Sequence, residues 1–388
     1  MPQKSPIPIV LAGGRGSRLR PLTRSRPKPM VPVAGRPMIE WCLHSLREAG
    51  LDRATIVVGH QAEKIQAHLQ DGKDIGLELD YVHQQPQLGS AHALSEALEA
   101  QGLPSSALVL GADNVIEPAL LEDLIATGPD AIGVTKSNIP SRYGVVELDG
   151  DVITSLREKP LVEGQALIST GVYLLSRQAL DPVTRLVREG TTDLPEVLAS
   201  ILAEGHTIEA SLTTGRWHDA VYPWDLVPMT EHLLHLHQPA DPDTLDAHPT
   251  ATHVGQVQFD EGCRLGPQAV VEGPTSLSAN TRLGAHAQVS SALLLEGVKI
   301  GRGAVVEDSV VGEAATIGAD VTIGAAEAEV IAEDGQAHQL PRFGAIVGPG
   351  VEIGPGATLE PGTIVGANAE IAAGARLTGR IPDGGWVT

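Results

Sequence analysis

Between residues 11 and 38 the chain reads LAGGRGSRLRPLTRSRPKPMVPVAGRPM, with Gly13, Gly14 and Gly16 set among the cations Arg15, Arg18 and Lys28. A glycine-rich loop leaving a strand lets backbone N–H groups close round phosphate oxygens, because no Cβ obstructs the approach. The adjoining guanidinium and ammonium groups suit a triphosphate, whose roughly four negative charges need neutralising. The loop is not a Walker sequence, which needs Gly, four residues and then Gly-Lys-Ser/Thr. Nor is it a dinucleotide fingerprint, since Leu19 stands where the third glycine belongs. A glycine loop alone is more often a turn than a site. With these three cations it reads as a phosphate cradle running from Leu11 and Ala12 through Gly16.

The charge distribution narrows the ligand. The formal net charge is -21, yet the first 36 residues hold eight Lys or Arg, and the first carboxylate is Glu40. An acidic surplus of this size argues against general binding to nucleic acid or anionic membrane, which needs an extended basic face. The cluster is therefore expected to face one small anion, with Arg20, Arg24, Arg26 and Arg36 lining its mouth or facing solvent. Cys42 and Cys263 match no metal or disulfide spacing and are expected to be buried thiols in a reducing compartment. The N-terminus carries no signal pattern and no apolar run approaches a membrane span, so a cytoplasmic location is expected.

Such residues need a scaffold. The first 237 residues alternate strand-like runs (IPIVLAGG, RATIVVGH, LELDYVHQ, SALVLGAD, DAIGVTK) with helical stretches such as PMIEWCLHSLREAG and SAHALSEALEAQG. The alternation implies an α/β fold with a Rossmann-like, mainly parallel sheet and ligands at the carboxyl ends of its strands. Residues 238–252, rich in Pro, Asp and Thr, read as a linker. From 253 to 388 aliphatic residues recur every six positions: Leu265, Val271, Leu277, Leu283, Val289 and Leu295, and later Val347, Ile353, Leu359, Val365, Ile371 and Leu377. Ile300, Val306, Val311, Ile317 and Ile323 keep the step with shifted phase. A period of six fits a coil of three short faces, each giving one inward aliphatic side chain and one turn. The segment AAEAEVIAEDGQAHQLPRF breaks the step and should leave the coil as a loop.

The signature LAGGRGSRLRPLT…RPKPMVPVAGRPM resembles that of the sugar-1-phosphate nucleotidylyltransferases, and its companions follow in that family's order over some 220 residues. The resemblance implies that Gln84, in QQPQLGSAHAL, reads a pyrimidine edge with Gly89 and Ser90 beside it. It implies metal carboxylates at Asp113, in VLGADN, and at Asp219, in RWHDAVYPWD, holding Mg²⁺. Gly144 in YGVVE, Glu158 and Lys159 in REKP, and Ser169 and Thr170 in LISTGVYLL would face the sugar and its phosphate. Taken singly, each of these residues would read as ordinary: strand-end acids, a turn lysine, and Trp217 and Trp224 as packing residues. Ser169 stands where the family often has Asn, and GAD replaces the usual GD.

The implied reaction joins a nucleoside triphosphate, UTP or dTTP, to a sugar 1-phosphate, glucose 1-phosphate first, and releases pyrophosphate. Arg18, Lys28 and Asp113 would carry the catalysis. The six-residue repeat resembles the left-handed β-helix, implying a homotrimer or homohexamer. In larger family members it either carries an acetyltransferase or serves assembly and regulation, which makes a bifunctional N-acetylglucosamine-1-phosphate uridylyltransferase/glucosamine-1-phosphate acetyltransferase the alternative, with His253, His286 and His338 as candidate bases. None of the three lies in the expected sequence context, which favours a structural coil. A non-catalytic nucleotide-sugar sensor is disfavoured because Arg18, Lys28, Asp113 and Asp219 are all present.

Overall fold

A computed structural model describes residues 5–162, 164–213, 215–239 and 244–388. The chain divides into two compact units: one holds the chain up to Arg15 with Met38–Asp219, the other Gly16–Pro37 with Ala220–Thr388. Of the expected linker at 238–252, residues 240–243 lie outside the described residues.

The first unit is built on nine strands: β1 (Ile7–Ala12), β2 (Arg53–Val58), β3 (Glu78–His83), β4 (Ser106–Gly111), β5 (Ala131–Ser137), β6 (Gly144–Asp149), β7 (Val152–Glu158), β8 (Ala166–Ser176) and β9 (Glu209–Leu212). Their order is β3-β2-β1-β4-β8-β5-β9-β7-β6. The first four pair in parallel, with Ile9 opposite both Thr55 and Val109. On the other side β8 runs antiparallel to β4 and β5, and β7 antiparallel to β9 and β6. The parallel character expected from the alternating pattern thus belongs to β1–β4, and the remainder is mixed. A connection as short as that between Asp149 and Val152, turning at Gly150 with φ +63°, can join only antiparallel neighbours.

Helices cover the sheet where their apolar spacing demands it. Helix α1 (Met38–Glu48) starts after Pro37 and is followed by Gly50 at φ +82°, and it buries Met38, Ile39, Cys42, Leu43 and Leu46. Helix α2 (Ser90–Gln101) buries Ala91, Ala93, Leu94, Ala97 and Leu98 and ends at Gly102, φ +81°. That face packs with Ile9, Val57 and Val109 of the sheet and with Val197, Leu198 and Ile201 of helix α3 (Leu194–Ala203) in one continuous core. Small residues let α2 lie close over the parallel strands.

The second unit contains three parallel sheets of eight, seven and seven strands, each strand two or three residues long. Leu265, Leu283, Ile300, Ile317, Ile353 and Ile371 stack in register through one of them. One expected position is corrected. Leu294, not Leu295, pairs with Leu277 and Val311 and joins the core of the coil, because the turn before it is one residue shorter. Glycine follows the inward residue for lack of room between coils. A Cβ on Gly266, Gly284 or Gly301 would lie 2.8, 2.7 or 2.5 Å from a backbone nitrogen of the next coil. The expected loop after Ile323 is an antiparallel hairpin, Ala326–Ile331 with Ala337–Phe343. Helix α4 (Leu226–His237) packs on the coil strands Thr275–Leu277 and Leu293–Leu294.

Asp260, half-buried in the first coil, accepts from Gln258 Nε2 at 3.0 Å. Burial outweighs that bond and pushes its carboxyl up to about 6. A raised folded-state value means that the folded chain holds the proton more tightly than the unfolded chain does. The associated stability is therefore complete below about pH 4, the ordinary aspartate range, and is lost as pH rises through about 6. Asp260→Asn is expected to raise the melting temperature at pH 7.5 and to make little difference at pH 4. Equal gains at both pH values in thermal melts would contradict the titration.

Candidate active site

The cradle begins where β1 ends. Ala112 N donates to Leu11 O at 3.0 Å and His60 N donates to Gly13 O at 3.1 Å, so the ends of the neighbouring parallel strands fix the loop on both sides. Ala12 and Gly13 are buried, while Gly14 and Arg15 are exposed. A Cβ on Gly13 would lie 2.5 Å from Gln84 Oε1, so a larger residue there must displace the Gln84 amide. Gly16 turns at φ +61°, its missing Cβ only 2.6 Å from Lys28 Cβ, and Thr23 Oγ1 donates to its carbonyl at 2.8 Å. The glycines thus admit an amide at Gly13 and a lysine stem at Gly16.

Beside the exposed Gln85, Gln84, just past the end of β3, is 3 % exposed. Its Nε2 donates to Gly89 O at 2.8 Å and lies 3.1 Å from His92 Nδ1, which holds the amide with Oε1 toward Gly13. His92, in the first turn of α2, is not singled out by motif. Ser90 is committed elsewhere: its Oγ accepts from Leu194 N at 2.8 Å at the start of α3. It ties two helices together.

The two expected metal carboxylates lie at one end of a short ribbon. Strand Asn114–Ile116 pairs antiparallel with Trp217–Asp219, setting Asp219 directly opposite Asn114, next to Asp113. Directly opposed residues share a face of such a pair. Gly111 is needed here, because a Cβ would meet Asp113 Oδ1 at 2.6 Å and Asn114 Nδ2 at 2.7 Å. Asn114 is 6 % exposed, and its Oδ1 is buried with no hydrogen-bond partner among the described residues. Its Nδ2 donates to Gly111 O at 3.4 Å, which sets the orientation of the amide. Cys42 Sγ lies 3.8 Å from the same carbonyl, and burial, with the charge of Asp113, pushes its thiol up to about 12. A neutral thiol adds no negative charge beside the carboxylate.

A third group gathers on β6, β7 and β8. Gly144 pairs with Glu158, and a Cβ on Gly144 would sit 3.2 Å from Glu158 Oε2 and 3.8 Å from Ser169 Cβ. Lys159, at φ +43°, brings Nζ to 3.2 Å from Glu158 Oε1. Between Ser169 and Tyr173 the strand register shifts, with Gly171 at φ +74°. Tyr173, another residue outside the motifs, hydrogen-bonds Ser169, while burial pushes its phenol up to about 12. Thr170 gives its hydroxyl to Gly133 O at 2.9 Å, so it serves the strand pairing.

The surplus arginines correct an expectation. Arg20, Arg24 and Arg26 are not simply solvated. They pair with Glu333, Asp383 and Glu313 of the coil unit, and Arg26 is partly buried. Trp224 packs as expected, stacked on Tyr222 at 4.8 Å, and Trp217 meets Tyr143 edge-on at 5.2 Å. Both cysteines are free and buried. No helix among the described residues is long and apolar enough to cross a membrane.

Known families and proteins resemble the chain on both sides of residue 240. Residues 7–233 match the Nucleotidyl transferase family, 253–339 the GMPPB C-terminal domain, and 344–379 the Bacterial transferase hexapeptide (six repeats). The chain is 29% identical over 329 residues to a Bifunctional protein GlmU of Methanococcus maripaludis, covering 78% of this chain and 77% of that one. It is 30% identical over 312 residues to a glucose-1-phosphate thymidylyltransferase of Streptomyces griseus, covering 78% and 84%. It is likewise 30% identical over 324 residues to a probable mannose-1-phosphate guanylyltransferase 2 of Arabidopsis thaliana, covering 78% and 85%.

Gly13→Ala would drive a methyl group into the Gln84 amide. It is expected to weaken nucleoside triphosphate binding by about tenfold or more in titration calorimetry, as displacements near 1 Å do at positioned sites. Unchanged affinity would show that Gln84 moves freely.

Proposed function

The chain belongs to the nucleotidyl transferase family of enzymes that act on sugar 1-phosphates, and on that premise we propose that it moves a uridylyl or thymidylyl group from UTP or dTTP to glucose 1-phosphate. The observation that carries the reaction is the Asn114–Asp219 pairing, which draws Asp113 and Asp219 to one ribbon end. An oxygen of the sugar phosphate attacks the α-phosphorus in line. The new P–O bond forms as the bond to the β-phosphate oxygen breaks, and pyrophosphate leaves with the electron pair. No protein nucleophile is required. The residues bring two anions together and offset their repulsion: Arg15, Arg18 and the amides of Leu11–Gly16 take the leaving pyrophosphate, and Lys28 and Lys159 take the transferring group and the sugar phosphate.

A divalent cation suits the carboxylate ribbon. Asp113 and Asp219 are hard oxygen donors, and the orphaned Asn114 Oδ1 leaves a third oxygen beside them. Few protein ligands suffice for Mg²⁺, which keeps waters and substrate phosphates in its shell. When bound, Mg²⁺ supplies charge neutralisation and a template for the phosphates.

Gln84 supports the pyrimidine. Its anchored amide presents Oε1 as an acceptor for the ring N3–H of uracil or thymine. A guanylyl reading with mannose 1-phosphate has its own support in the C-terminal family match and the Arabidopsis relative. The bifunctional alternative rests on the GlmU relatives, but His338 lies among Tyr222 and Trp224, 4.4 and 5.3 Å away, as a packing residue. We assign residues 1–237 to catalysis, 238–252 to the linker and 253–388 to a coil that assembles side by side as a homotrimer or homohexamer. The cytoplasm suits its free thiols.

Asp113→Ala is expected to lower turnover by about two orders of magnitude or more, the usual cost of a lost charge-organising group. Near wild-type turnover with Mg²⁺ present would sink that role. A panel of four nucleoside triphosphates against glucose 1-phosphate, N-acetylglucosamine 1-phosphate and mannose 1-phosphate, read by pyrophosphate release, tests the substrates. Preference for GTP with mannose 1-phosphate would replace the pyrimidine reading. Free thiol from acetyl-CoA with glucosamine 1-phosphate would restore the bifunctional one.

A further inference from the structure

The hairpin inserted in the coil ends in two acids, Glu333 and Asp334, and both meet arginines of the signature segment. Arg20 Nη1 lies 3.3 Å from Glu333 Oε1, and Glu333 Oε2 also takes Arg380 Nη1 at 2.7 Å. Arg18 Nε lies 3.4 Å from Asp334 Oδ2. Asp334 is itself anchored at both oxygens: Tyr222 Oη donates to Oδ2 at 3.1 Å, and Gln336 N donates to Oδ1 at 3.2 Å. Tyr222 is buried, stacked on Trp224 and packed against His338 of the hairpin. A rigid aromatic base therefore fixes a carboxylate, and the carboxylate holds an arginine.

The ion pair on the guanidinium is at Nε, 3.4 Å from Asp334 Oδ2, and the Arg18 side chain stays 47% exposed, which leaves surface for a phosphate. We propose that Asp334 is a positioning residue for Arg18, through which the hairpin of the coil sets the affinity of the nucleotidyl transfer site for the triphosphate. The inference rests on the reading of Arg18 as a phosphate-holding group. A long, exposed side chain loses rotamer freedom when it grips a ligand, and a partner that has already ordered it reduces that loss. Asp334 never touches substrate. Its effect should fall on triphosphate binding and leave the sugar phosphate untouched.

Asp334→Asn keeps an acceptor for Tyr222 and removes the charge. In the full-length chain it is expected to raise the triphosphate KM by about three- to tenfold, the scale of a partly exposed ion pair plus lost preorganisation. The KM for sugar phosphate should stay near wild type, and Asp334→Glu should recover part of the loss. Tyr222→Phe, which keeps the ring packing, should shift the same KM in the same direction by less. In an Arg18→Ala background, Asp334→Asn should add nothing. An unchanged or lowered triphosphate KM in Asp334→Asn overturns the proposal, as does an equal rise in the Arg18→Ala background. Arg18→Ala alone separates the two readings. If it leaves the triphosphate KM unchanged, the phosphate role of Arg18 fails. If it raises that KM while Asp334→Asn is silent, only the Asp334 role fails.

Discussion

Like charges crowded into a short segment repel one another unless counter-charge is close, and that constraint governs the stretch from Arg15 to Arg36. With eight cations in the first 36 residues of a chain of net charge -21, the needed acids are abundant but distant in sequence. Folding brings them in. Arg18, Arg20, Arg24 and Arg26 each meet a carboxylate of the coil unit. Exposed pairs of this kind contribute modestly to stability, since solvent screens them and side-chain ordering opposes them. Their larger consequence is to divide the cations. Those committed to Glu333, Asp383 and Glu313 hold the segment on its support.

The same division shows what a sequence can and cannot carry. The six-residue step exposed the coil because stacking repeats the same burial at every turn, so period alone encodes it. The strand ends bearing Gly13, Gln84 and Asp113 were legible because α/β topology puts strand termini on one edge. Leu295 was misassigned by a single residue, since a shortened turn shifts phase without changing composition. The Arg18–Asp334 contact spans 316 residues, and nothing in local spacing pairs those two positions. His92, Asn114, Tyr173 and Tyr222 escaped notice for a related reason: each acts by holding a motif residue or its partner. Nor does a motif position reveal that backbone groups bond the hydroxyls of Ser90 and Thr170.

The coil tolerates its insertion because the ladder closes over it. Ile317 and Ile353 are 36 residues apart yet pair as directly as Ile353 and Ile371, which are 18 apart. Its glycines are close-approach positions rather than hinges: at Gly266, Gly284 and Gly301 the next coil's backbone occupies the volume a side chain would need. A framework that stiff suits a hairpin whose tip must keep a carboxylate in one place.

The chain passes between the two units three times, after Arg15, after Pro37 and after Asp219. One cleavage in the connection that follows helix α4 would therefore not dissect the protein into its two units. A fragment ending there would keep Gly16–Pro37 and α4 while losing the coil surfaces that these segments pack on. Limited proteolysis at that connection would yield nicked but associated pieces, and the amino-terminal half expressed alone would expose an apolar helix face. Gly16–Pro37 and α4 belong with the coil, so the unit to express is the whole chain.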